Sequence, residues 1–193
     1  TAEFIQQATD IAQFTTGIEK HPNEARMYRH RGHRYITVRE FPKANADLTK
    51  AASLIAGKPD QIEPDGQPNA RNIPTSTLNS NIYYHLGLAH YLSGNFEKAA
   101  DAYARCLEFS KNPDMLTATT YWHYLTLSRL GRAAEAKTLL APVTPDMDII
   151  ENGSYFRVLR LFKGELSAAA FETSSAGLDA VTTKYGLARW HAT

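Results

Sequence analysis

Apolar side chains between Ile82 and Glu108 fall into two short helical stripes separated by a polar break. Tyr83, Leu86, Gly87 and His90 recur at three- and four-residue steps, which stacks them on one helical face. The pattern stops at Gly94 and Asn95, and a second helix from about Phe96 carries Ala99, Tyr103 and Cys106 or Leu107 inward. The small side chain of Ala99 lets the two helices approach closely, so this stretch predicts a helical hairpin with a tight, glycine-marked turn. The same order returns upstream as Tyr28, Gly32, Tyr35, Phe41, Ala44, Leu48 and Ala51. Gly32 to Gly87, Ala44 to Ala99 and Leu48 to Tyr103 all give an offset of 55. Downstream, Gly94 to Gly131, Ala99 to Ala136 and Tyr103 to Leu140 are each 37 apart, which predicts a third, looser copy. A partial copy comes first, because Phe14 and Gly17 lie 34 residues before Leu48 and Ala51.

The order Tyr83, Leu86-Gly87, Ala99, Tyr103 resembles the tetratricopeptide repeat (TPR), whose pattern is W-x2-L-G-x2-Y, then A-x3-F, then P, with a period of about 34. Tyr83 stands where that family prefers Trp, and His90 where it prefers Tyr. In the third copy Tyr124 stands where a small residue is usual, so that hairpin is expected to pack more openly. The resemblance implies an all-α fold, a right-handed superhelical stack of antiparallel helix hairpins (a TPR-like α-solenoid). In such a fold a single hairpin cannot bury its apolar faces alone, and stacking builds one continuous core. By the same resemblance, the first helices of successive hairpins line a concave groove that binds a peptide or protein segment. The "RG" of "YRHRGHRY" and the "ADL" of "ANADLTKAA" look like a common subtype, which implies a bacterial periplasmic or lipoprotein-type repeat protein.

These registers organise residues 1–193 as a single domain. Residues 1–22 form the second helix of a partial repeat, 25–58 a repeat, 59–79 a loop insertion, 80–113 a repeat and 117–145 a degenerate repeat. Irregular helices follow over 150–180, one from about Asn152 to Phe162 and a short one begun by Glu165. Residues 181–193 form the first helix of an incomplete repeat, with Tyr185-Gly186 echoing Leu86-Gly87. The insertion "GKPDQIEPDGQPNARNIPTSTLNSN" exceeds the repeat period by about 21 residues and is rich in Pro, Asn, Asp and Gly, which opposes helix and strand alike. It reads either as a tolerated surface loop or as a lid over one end of the groove. Asn72 and Thr75 to Thr77 are expected to begin the next helix, the threonines and Ser76 as possible N-caps.

Composition narrows the function classes. Twenty-one basic against twenty acidic side chains leave a net charge of +1, so no global field favours nucleic acid or an anionic membrane. No apolar run is long enough for a membrane span. The single cysteine, Cys106, excludes an intrachain disulfide and multi-cysteine metal sites, and its core position makes it a small buried hydrophobe. No phosphate loop, G-x-S-x-G elbow or H-E-x-x-H pair occurs. His30 and His33 share a helical face but are too few for a metal and stand among Arg26, Arg29 and Arg34, so neither metal nor cofactor is expected. Asp146 and Asp148 lack the spacing of a calcium loop.

The expected function is therefore a non-enzymatic scaffold for protein–protein interaction. On the outward face of each first helix lie Arg26, Arg29, His33 and Thr37 in copy one, Asn81, Tyr84, Leu88 and Tyr91 in copy two, and Tyr121, Leu125 and Arg129 in copy three. Basic residues at one end and tyrosines in the middle suit an extended peptide with an acidic residue or free carboxylate, and Arg and Tyr are enriched in interface hot spots. Arg31 falls where the repeat places an apolar residue, so it needs a partner, and Asp47 on the next helix is the expected one. Two alternatives accompany this reading: a structural homo-oligomer assembling through the incomplete C-terminal edge, and a metal-dependent hydrolase using the histidine-rich face.

Overall fold

The computed structural model describes residues 2–63, 69–169 and 178–191. These residues form helices and connecting turns, with no strand beyond one isolated bridge between Ile62 and Thr77. The chain divides into two compact units, one of residues 1–64 and 76–109, the other of residues 65–75 and 110–193.

The first unit holds α1 (Ala2–Lys20), α2 (Ala25–Thr37), α3 (Phe41–Ile55), α4 (Leu78–Leu92) and α5 (Phe96–Phe109). Consecutive helices pack as antiparallel hairpins, α2 on α3 and α4 on α5, and α3 and α2 both lie against α4. The segments joined by the 55-residue offset are thus side by side. Each hairpin closes through the same small-to-large contact. A methyl group on Gly32 would sit 2.7 Å from Leu48 Cγ, and one on Gly87 would sit 2.6 Å from Tyr103 Cε1. The core runs through both hairpins: Ala51, Ile55 and Ala25 meet Leu78 and Ile82, while Ala44 and Leu48 meet Leu86 and Ala89.

The turns repeat as well. Gly94 and Gly131 adopt φ of 77° and 71°, and the residue after each donates its N–H five residues back, Asn95 to His90 O and Arg132 to Leu127 O at 2.9 Å. This is a Schellman turn, in which a left-handed residue satisfies the last carbonyls of the helix. In the first hairpin Arg39 fills the position at φ 63°, and Glu40 N–H reaches Tyr35 O at 2.8 Å, so the geometry survives without glycine at a cost of about 1 kcal/mol. Gly164 ends a further helix in the same way, with Glu165 N–H on Arg160 O.

Helix α4 begins at Leu78 because Thr77 caps it: Thr77 Oγ1 accepts Ser80 N–H, and the Ser80 hydroxyl accepts Thr77 N–H. Asn72, expected near the helix start, instead takes φ 52° in a preceding turn.

The second unit holds α6 (Pro113–Arg129), α7 (Ala133–Thr138), α8 (Gly153–Phe162) and α9 (Leu178–His191). Helix α6 packs on α7 and α8, and α8 on α9. Bulky Tyr124 stacks on Phe162 with ring centroids 4.4 Å apart, and α7 is only six residues long. A methyl on Gly186 would lie 2.5 Å from Val158 Cγ1, the same close approach that Gly32 and Gly87 make. The chain entering α8 is held by Asp114, 1% exposed, whose carboxylate accepts the backbone N–H of Ile150, Glu151 and Asn152 at 2.9, 2.7 and 2.9 Å. Glu165 to Ala168 lie outside a helix and Ala169 is helical; the remainder of the short helix expected there falls outside the described residues.

Candidate functional site

Helices α2 and α4 bring Arg26, Arg29 and Asn81 together around one carboxylate, that of Glu63. Arg29 Nη2 donates to Glu63 Oε2 at 2.7 Å, Asn81 Nδ2 to the same oxygen at 2.6 Å, and Arg26 Nε to Oε1 at 3.3 Å. The Glu63 side chain is 3% exposed although it stands on the inserted loop. Arg26 Nη2 also donates to Gln61 Oε1 at 3.3 Å. Burial pulls the Arg29 guanidinium below its ordinary range, while Glu63 opposes that shift by charge and hydrogen bonding. Such charge-assisted bonds are shorter and stronger than neutral ones, and planar guanidinium suits a carboxylate better than a lysine would.

Three histidines continue the cluster. Arg29 Nη1 donates to His30 Nδ1 at 3.0 Å, which makes that nitrogen an acceptor and the ring neutral, and His30 stacks on Phe14. His33 and His85 rings lie 4.4 Å apart, and His85 Nδ1 donates to Asn81 O. Burial holds His30 and His33 down at about 4, with Arg29 and Arg34 adding to both; His85 is also held well below its ordinary value, by burial first and then by His33 and Arg29. Glu63 acts the other way on His30, with Nε2 to Oε1 at 4.0 Å. These imidazoles are neutral when folded and take up protons near pH 6.5 when unfolded, so acidification favours the unfolded chain. Stability should be level above about pH 7 and fall as the pH drops from about 6.5 to about 4, with the melting temperature lower by several degrees at pH 4.5. A flat melting temperature over that window, with no change in slope in a His33→Asn variant, would refute this assignment.

Arg31 donates to both oxygens of Asp47, Nε at 2.7 Å and Nη2 at 2.8 Å, and through Nη1 to Thr15 Oγ1 at 3.0 Å. The hydrogen bonds to Asp47 raise its already high pKa. This pair belongs to the packing of α1, α2 and α3. Cys106 is fully buried, its thiol against Ser80 O.

The remaining predicted residues separate by burial. Tyr84 is half-buried on α4, edge-on to His85 and Tyr103, close to the cluster in sequence and space. Tyr91 is buried edge-on against Phe96. In the second unit Tyr121 is 1% exposed and stacked on Tyr155 at 4.4 Å, whereas Arg129 is exposed. Glu63 and His85 escaped the sequence reading. For Glu63 the available signal was weak: Asp60 and Glu63 stand in an insertion that follows a hairpin whose first helix, α2, is dense in arginine. Among the described residues no group of three or more His, Cys, Asp and Glu side chains converges to hold a metal ion, and no helix is long and apolar enough to cross a membrane.

The model of the tetratricopeptide repeat family matches residues 80–113, the span that folds as α4 and α5. The crystal structure of YrrB, a TPR protein with an unusual peptide-binding site, is similar over 100% of this chain and 87% of that one, with a TM-score of 0.54 and 14% identity. At that identity the likeness shows the fold: an all-helical, TPR-like stack carrying a tetratricopeptide repeat at 80–113. A comparison with curated proteins finds no match.

Proposed function

We propose that this chain is a non-enzymatic scaffold that binds a protein or peptide segment along the face shared by α2 and α4, reading an acidic side chain or a free carboxylate. The observation that carries this reading is the convergence of Arg26, Arg29 and Asn81 on a single carboxylate. Tyr84 and His33 extend the face with partly buried rings, and Tyr91, buried on α4, packs edge-on against Phe96. The peptide-binding site named for YrrB agrees with this use of the fold. A bacterial exported setting follows from the sequence resemblance alone.

The test is fluorescence anisotropy with capped peptides that differ only by Glu against Gln. The acidic peptide should bind at least tenfold more tightly, the difference should shrink from 50 to 500 mM salt, and Arg26→Glu with Arg29→Glu should abolish it. Equal affinity for both peptides would end this reading. A second reading, a homo-oligomer through the C-terminal edge, draws on the exposed Val181 and Trp190 of α9. Sedimentation showing a monomer at all concentrations removes it.

A further inference from the structure

The carboxylate in the arginine cluster belongs to the chain itself, and the segment that delivers it is held as a bound peptide would be. Residues 61–63 run antiparallel to residues 76–78 at the start of α4: Leu78 N–H donates to Gln61 O at 2.8 Å, Glu63 N–H to Ser76 O at 3.3 Å, and Ile62 lies opposite Thr77. Backbone pairing sets the register, Arg26 holds the Gln61 side chain, and Arg29, Arg26 and Asn81 hold Glu63.

The grip is nevertheless shallow. Ile62, between the two anchored residues, is 70% exposed and buries little apolar surface. The buried Nε–H of Arg29 has no acceptor, so Glu63 leaves part of the guanidinium unsatisfied. A buried donor without a partner is costly, and a better-fitting ligand recovers that cost. Segment 61–63 is therefore strongly placed by charge and weakly held by packing.

We infer that Gln61–Glu63 is an internal occupant of the carboxylate-binding site, and that an extended glutamate-bearing peptide binds by displacing it and pairing antiparallel with Ser76–Leu78. This rests on the function proposed above and adds its regulation. A tethered competitor acts at an effective concentration on the order of mM, so the native chain takes an acidic ligand only when that ligand outcompetes Glu63. Taking the competitor's carboxylate away raises the apparent affinity by the inverse of the fraction of time the site is open.

The probe is a capped, fluorescein-labelled synthetic peptide with the sequence of residues 58–63, beside its analogue with Gln in place of the glutamate. Anisotropy is measured with the native chain, Glu63→Ala and Glu63→Gln, the second variant keeping the shape of the segment. Both variants should bind the acidic peptide at least tenfold more tightly than the native chain and gain nothing for the analogue. Saturating the native chain with the acidic peptide should also speed hydrogen exchange at the Glu63 amide. If all three proteins prefer the acidic peptide with affinities within twofold, the face binds carboxylates but Glu63 does not occlude it, and the inference fails alone. If none binds either peptide, the functional reading fails with it. Should the variants melt far below the native chain, exchange decides: a Glu63 amide unchanged at saturation overturns the inference, and a faster one upholds it.

Discussion

Asp114→Ala is expected to destabilise the second unit by about 4 kcal/mol. The Asp114 carboxylate is the acceptor for three successive backbone N–H groups, those of Ile150, Glu151 and Asn152, and Asn152 Nδ2 donates to Asp114 O. Alanine removes the acceptor and leaves those donors enclosed; each unsatisfied buried group costs about 1–3 kcal/mol, and water entering the gap recovers part of the sum. Asp114→Asn keeps one acceptor oxygen but turns an NH2 group toward donors, so it should lose about half as much. Both tryptophans, Trp122 and Trp190, belong to the second unit, which makes tryptophan fluorescence during urea or thermal unfolding the readout. Faster hydrogen exchange confined to Ile150–Asn152 should accompany the loss. A transition midpoint unchanged in Asp114→Ala would show that the entry to α8 is held by something other than this carboxylate.

Gly87→Ala is expected to lower the stability of the first unit by about 2 kcal/mol, even though alanine is the better helix former. The propensity gain is about 1 kcal/mol, whereas overpacking a filled core costs about 1–3 kcal/mol and more where the neighbour cannot move. Here the new methyl would lie 2.6–2.8 Å from three atoms of the Tyr103 ring, which is 0% exposed and set edge-on to Tyr84. The steric term wins. In a unit of this size the melting temperature should fall by about 8 °C, read by far-ultraviolet circular dichroism. Combining Gly87→Ala with Tyr103→Leu should cost clearly less than the sum of the single changes, because the smaller side chain makes room. Strict additivity would mean that Gly87 and Tyr103 do not define the hairpin contact.

The same contact explains why so much of the stack was readable. Gly32 and Gly87 occupy equivalent positions because each must admit a large side chain, Leu48 or Tyr103, from the helix sixteen residues on. That spacing lies within one hairpin, so it leaves its mark on a short stretch of chain. Gly94 and Gly131 mark their turns for an equally local reason, a left-handed φ. Arg39 shows the limit: it makes the same turn without a glycine, and only the 55-residue register points to it. Tyr121 shows another. Its helical face was readable, but whether the ring met solvent depended on Tyr155, thirty-four residues later, against which it stacks.

By itself, then, the chain's pattern of small and large side chains determined the hairpins, because their contacts span about sixteen residues, and the return of the same pattern 55 residues on determined that residues 28–51 and 83–107 lie side by side. Only the tertiary structure decided what the arginines hold. Glu63 reaches Arg29 from thirty-four residues away out of a segment with no periodicity, and electrostatic pairing, unlike helical packing, imposes no spacing on the sequence that carries it.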